Sequence, residues 1–121
     1  GKIGQIHVSV TDVDRAVAFY RGALGIPFLF QYPGMAFLDC EGVRLFLGPP
    51  ESEQFSGRST LYFSVADIAA AVASLEERGV RFGEPPHVVH RTDEYALWMC
   101  FTSDPDGNNI GLMSEVTSGP R

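Results

Sequence analysis

The chain predicts an α+β fold in which two βαβββ modules, one a duplicate of the other, pair into a curved mixed β-sheet around a central cavity. Three observations predict it. Two amphipathic helical stretches each follow a strand-like run, and each opens on an aspartate, Asp12 and Asp67. The offset of 55 between those aspartates also aligns Ser9 with Ser64, Val10 with Val65, and Ala16, Val17 and Ala18 with Ala71, Val72 and Ala73. An offset of 65 aligns the module ends: Asp39 with Asp104, Gly42 with Gly107, Leu45 with Ile110, and Leu47 with Leu112. Self-similarity of this kind marks two copies of one supersecondary unit. A lone four-stranded sheet with one helix leaves an apolar face open, so two copies are expected to pair around a shared cavity.

Each element has a local cause. QIHVSV (5 to 10) alternates polar and apolar residues as a half-buried strand does. Asp12 is a natural N-cap, and Val13, Ala16, Val17, Tyr20 and Leu24 follow at helical spacing. Gly25 closes that helix and Pro27 forbids its return. Extended runs then occupy 27–32, 35–40 and 43–48, ending module one (1–48). PPESEQFSGRS (49 to 59) has the composition of a linker. TLYFSV (60 to 65) opens module two (60–116). Asp67 caps a helix with Ile68, Ala71, Val72 and Leu75 on one face and Gly79 at its end. Extended runs are expected at 80–83, 94–101 and 109–115, with a loop over 84–93 and a tail over 117–121. In that segment an extended backbone would turn His87 and His90 to opposite faces, so they are not expected to chelate one ion; a solvent-facing loop is expected, with a mobile lid as the alternative.

At 121 residues and 13.2 kDa the chain is one domain with a core of its own. A net charge of −6 argues against nucleic acid as a partner, since phosphates reward basic patches. No apolar run approaches the roughly 18 residues of a membrane span, and no signal-peptide pattern opens the sequence. Cys40 and Cys100 sit among apolar neighbours and read as buried free thiols of a reducing compartment, so a cytoplasmic location is expected. Phosphate loops, Cys-x-x-Cys pairs and nucleophile elbows are absent from the sequence.

Two stretches carry a resemblance. VTDVDRAVAFYRGALGIPF and FTSDPDGNNIGLMSE are similar to the first helix and the closing turn and strand of the vicinal oxygen chelate superfamily. That superfamily contains glyoxalase I, extradiol dioxygenases and the bleomycin-resistance proteins. The resemblance implies four metal positions: one lies seven residues before each capping aspartate, and one lies four residues after each module-ending glycine. In this sequence they hold Gln5, Phe46, Thr60 and Gly111. A catalytic divalent ion needs about three or four donors among imidazole, carboxylate and thiolate. An amide, a phenyl ring, a hydroxyl and a bare backbone do not supply them, so neither a metal nor another cofactor is expected.

Other residues share those faces. Strand alternation puts His7 with Gln5, Arg44 with Phe46, Tyr62 with Thr60, and Met113 and Glu115 with Gly111. The resemblance also implies Met99 and Phe101 as pocket-lining residues. His7, Tyr62 and Glu115 are the weak catalytic candidates: His7 and Glu115 could pair for acid–base work or ligate a shifted metal, or His7 could be a hydrogen-bonded wall residue and Glu115 a solvated strand end. Arg44 suits either a ligand carboxylate or a place at the rim. The positions where a glutathione-dependent relative would carry basic residues hold Ser9 and Ser56. Two functions are therefore expected in order: binding of a small, partly apolar or aromatic molecule without a catalytic metal, and an enzyme of the same superfamily using the His7–Glu115 region. A homodimer is the expected assembly.

Overall fold

A computed structural model describes residues 1–55 and 57–117. The chain divides into two compact units, one formed by Gly1–Ser59 with Ser103–Asn108 and the other by Thr60–Thr102 with the chain from Asn109 onward.

The first unit contains β1 (Gln5–Ser9), α1 (Val13–Val17), β2 (Phe28–Tyr32), β3 (Met35–Cys40) and β4 (Val43–Gly48), its sheet ordered β1-β4-β3-β2. β1 runs parallel to β4, and β3 runs antiparallel to β4 and to β2. Asp12 caps α1 through a carboxylate that accepts the Arg15 N–H at 3.1 Å. The single helix expected through Leu24 is instead an α-helix followed by a π-helical stretch, Ala18–Ala23, in which the Leu24 N–H reaches back to the Phe19 carbonyl at 2.9 Å. Within that wider turn Tyr20 is completely buried. α1 packs against β3 and β4, and Val8, Val10, Ala36, Leu38, Leu45 and Leu47 fill the space between helix and sheet. The β3–β4 hairpin turns on two residues with positive φ, Glu41 at 49° and Gly42 at 95°, the signature of a tight type I′ turn. That turn fixes the register outward from Cys40 and Val43.

The second unit contains β5 (Thr60–Ser64), α2 (Ile68–Glu77), β6 (His87–Arg91), β7 (Tyr95–Ser103) and β8 (Asn109–Thr117), ordered β5-β8-β7-β6, with β5 parallel to β8. Asp67 caps α2 by accepting the Ala70 N–H at 3.0 Å. Ile68, Val72 and Leu75 form the buried stripe of α2, and Ala96, Cys100, Ile110 and Leu112 are buried in the sheet. The two units thus repeat one mixed four-stranded design.

One segment departs from expectation. Residues 80–83 form no strand, and the expected loop 84–93 contains β6. Gly83, Pro85 and Pro86 explain the shift, because prolines cannot donate to a ladder and the β-branched pair Val88–Val89 can join one. The stretch before β6 is tied to β7 through side chains: Thr102 Oγ1 donates to the Arg81 carbonyl at 2.6 Å and Cys100 Sγ to the Glu84 carbonyl at 3.1 Å. β6 also bulges at Val89, so His87 pairs with Met99 and His90 with Leu97. Met99 and Leu97 share a face, and the bulge therefore brings both histidines to one side, against the simple alternation argument.

The turn of the DPDGNN segment belongs to the first unit. Asp104 is buried, and its carboxylate accepts the Tyr20 hydroxyl at 2.6 Å, the backbone N–H groups of Asp106 and Asn108, and Asn108 Nδ2. Asn108 also donates to the Ser9 carbonyl at 2.9 Å and accepts the Ser59 N–H at 2.9 Å. A buried carboxylate with this many donors is satisfied, which removes the main cost of placing it in the core.

Candidate functional site

The face of the first sheet opposite α1 is paved with rings. His7 on β1 lies 4.8 Å from Phe46 on β4, and Phe46 stacks on Phe37 of β3 at 4.9 Å with the planes 12° apart. Phe37 meets Phe30 on β2 at 4.7 Å, and Phe30 meets Tyr32 at 5.5 Å. Register is the cause, since His7, Phe46 and Phe37 are direct cross-strand neighbours, as are Phe37 and Phe30. Arg44, from the same face, carries its guanidinium 5.9 Å from the Phe30 ring and 5.8 Å from Phe37. Arg44 thus stands as a cation over rings, an arrangement separate from the two roles expected for it.

At the β1 end of this row lies a cavity of about 380 Å³ lined by Gln5, His7, Phe46, Glu51 and Phe55. His7 Nε2 is 3.0 Å from the Gly48 carbonyl oxygen, which can only accept, so the ring donates there and its orientation is fixed. Ser9 Oγ donates to the Phe55 carbonyl at 3.4 Å and ties the short 3₁₀ turn Glu53–Phe55 to β1. Phe55 itself is 55% exposed.

The second unit repeats the theme with different residues. A Cβ placed on Gly111 would stand 2.9 Å from both Phe101 Cε1 and Tyr62 Cδ2. The glycine is there because two rings, meeting edge to face at 5.8 Å, occupy the space its side chain would take. Tyr62 and Phe101 are both exposed, while Met99 and Met113 are half-buried. Thr60 accepts Asn109 Nδ2 at 3.2 Å, and Glu115 is exposed on β8. Within each unit, then, the structure brings together Gln5, His7 and Phe46, and separately Tyr62, Phe101 and Gly111. Ser56 lies outside the described residues.

The donors present do not fit a divalent ion. In the first unit the positions implied by the resemblance hold an amide and a stacked phenyl ring; in the second they hold a hydroxyl already engaged by Asn109 and a glycine overlaid by rings. Among the described residues no group of three or more His, Cys, Asp or Glu side chains is placed to hold a metal.

Burial, then the hydrogen bond to Asp104, raises the Tyr20 hydroxyl far above its usual range. Burial pushes the Asp106 carboxyl up, but the Thr11 hydroxyl and N–H, at 2.7 and 3.0 Å, and the Arg15 guanidinium, at 3.2 Å, outweigh it and hold the group below the ordinary carboxylate value. Burial raises both thiols, Cys40 and Cys100, which are unpaired in the fold.

Sequence reasoning missed Phe37, Phe30, Glu51 and Phe55. The first two were within reach: counting outward from the Glu41–Gly42 turn pairs Phe37 with Phe46. Glu51 and Phe55 come from the linker, where no periodicity signals a direction.

Comparison with known proteins agrees with this architecture. The family model of the Glyoxalase/Bleomycin resistance protein/Dioxygenase superfamily matches residues 2–112, and the chain belongs to that superfamily. Among solved structures it is similar to the antibiotic binding protein TnmS3 from Streptomyces (27% identity, 94% of this chain and 95% of that one, TM-score 0.73). It shares its fold with a lactoylglutathione lyase from Agrobacterium tumefaciens (19% identity, 93% and 92%, TM-score 0.77). The same holds for a glyoxalase/bleomycin resistance protein/dioxygenase from Nocardioides (22% identity, 100% and 89%, TM-score 0.76). No curated protein matches the sequence. Among the described residues no helix is long and apolar enough to cross a membrane.

Proposed function

We propose that this protein binds a small, partly aromatic molecule on its ring-lined faces without a catalytic metal. The observation that carries the reading is the Phe46 ring: it stands at a position where a metal-dependent relative places a ligand, and it is stacked on Phe37 at 4.9 Å. Rings locked in such a row offer a rigid apolar surface at low entropic cost, and an aromatic contact contributes about 0.5–1.5 kcal/mol beyond area burial. The cavity beside it has the size and mixed lining of a small-molecule site. Tyr62 and Phe101 give the second unit the same chemistry. The printed description of TnmS3 as antibiotic binding supports the class of function, and Met99 and Met113 add adaptable surface. The protein is expected to act as a cytoplasmic homodimer.

Titration with an uncharged naphthol, followed by backbone amide shifts, tests this. Shifts centred on His7 and Phe46 are expected, with about threefold to tenfold weaker binding in Phe46→Ala, within the range for loss of a stacked aromatic contact. Absence of binding, or shifts unaffected by Phe46→Ala, would contradict it.

A further inference from the structure

We propose that the β6–β7 hairpin carries a Cu(I) site made by His87, His90 and the thioether of Met99. The site stands apart from the positions that the resemblance implies for a metal, and it does not depend on the binding function proposed above.

The bulge at Val89 is the starting point. His87 pairs with Met99 and His90 with Leu97, so both imidazoles rise from the face that carries Met99. Without the extra residue, positions three apart on a strand would point to opposite faces. Direct cross-strand partners hold their Cβ atoms about 4.5–5.5 Å apart, and diagonal neighbours stand about 7–8 Å apart. One ion above Met99 therefore lies within reach of both rings.

His87 is already oriented for such a role. Its Nδ1 lies 3.3 Å from the Pro85 carbonyl oxygen, which can only accept, so Nδ1 carries the proton and Nε2 keeps its lone pair for a metal. His90 rests against Tyr95 with the ring centres 6.0 Å apart. Both histidines are exposed, and exposed side chains exchange rotamers within nanoseconds, so the pair can close on an ion. Met99 is half-buried, so less of its rotamer freedom remains to be lost on binding.

The donor set chooses the ion. Two neutral imidazoles and a thioether suit a soft monocation, and thioether sulfur selects Cu(I). Zn²⁺, Ni²⁺, Mn²⁺ and Fe²⁺ find two nitrogens here and neither carboxylate nor thiolate among the three donors, short of what a tight divalent site requires.

Anaerobic titration of the full chain with Cu(I), followed by the methionine methyl and histidine ring resonances, tests the assignment. The chain has three methionines and three histidines, so each signal can be assigned by substitution. The Met99 methyl and the rings of His87 and His90 are expected to shift and to saturate at about one equivalent, while Met35 and His7 stay in place. Competition against bicinchoninate should show Cu(I) binding at least about tenfold weaker in His87→Ala and in His90→Ala, the lower bound for losing even an outer partner of a metal site. Met99→Leu, which conserves volume, should weaken binding in the same direction. Zn²⁺ at the same ratio should leave the Met99 methyl unmoved. Shifts at Cys40 or Cys100 with the histidines unmoved, or an affinity unchanged in the His87→Ala, His90→Ala double variant, would assign copper to the thiols and overturn the proposal. Histidine shifts without the Met99 methyl, or an equal response to Zn²⁺, would overturn it as well.

Discussion

Gly111 carries more information than most side chains in the molecule. Its backbone sits under Tyr62 and Phe101, and a methyl group there would come within 2.9 Å of each ring. Both rings are exposed enough to swing aside, so the penalty falls at the low end of overpacking. Gly111→Ala should cost about 1 kcal/mol in urea denaturation, and the cost should vanish in a Tyr62→Ala, Phe101→Ala background. A full loss in that background would mean the backbone, not the rings, requires glycine. Asp106 gives a second test. Its carboxyl is held below its unfolded value, so it contributes stability above the unfolded pKa of about 3.9, and that stability is lost as pH falls through the lower folded value. Wild type should therefore lose stability on acidification more steeply than Asp106→Asn, measured as urea midpoints between neutral pH and pH 3.

At the scale of elements, the first module was nearly transparent in the sequence. Asp12, Gly25, Pro27 and the Glu41–Gly42 turn are local signals, and local signals set boundaries well; β2, β3 and β4 fall within a residue of their expected runs. The π-helical stretch Ala18–Ala23 was not legible, because its composition is that of an ordinary helix and the widening depends on packing around Tyr20. β6 is hidden for a related reason: two prolines mask a strand that begins directly after them, and the bulge at Val89 cancels simple alternation between His87 and His90. The caps were legible and are testable. Asp67→Ala removes the acceptor of the Ala70 N–H and should destabilise by about 1 kcal/mol, while Asp67→Asn should recover most of the loss. Equal losses for both would assign the effect to charge rather than to the cap.

Across the whole molecule, duplication and function are written in different parts of the sequence. The repeat is visible because both copies need the same cap, helix face and closing turn. The proposed site is harder to read because its lining draws on cross-strand partners such as Phe37 and on linker residues such as Glu51. DPDGNN links the two levels: its residues Asp104 and Asn108, encoded between two strands of the second unit, hold Tyr20, Ser9 and Ser59 of the first. Membership of a superfamily rich in metal enzymes makes the donor set the deciding question. Dialysis of the protein against Zn²⁺, Ni²⁺, Mn²⁺ and Fe²⁺, followed by elemental analysis, addresses it directly. Rings at Phe46 and over Gly111 predict that no ion is retained in stoichiometric amount. One equivalent of metal per chain, released by Gln5→Ala, would contradict them.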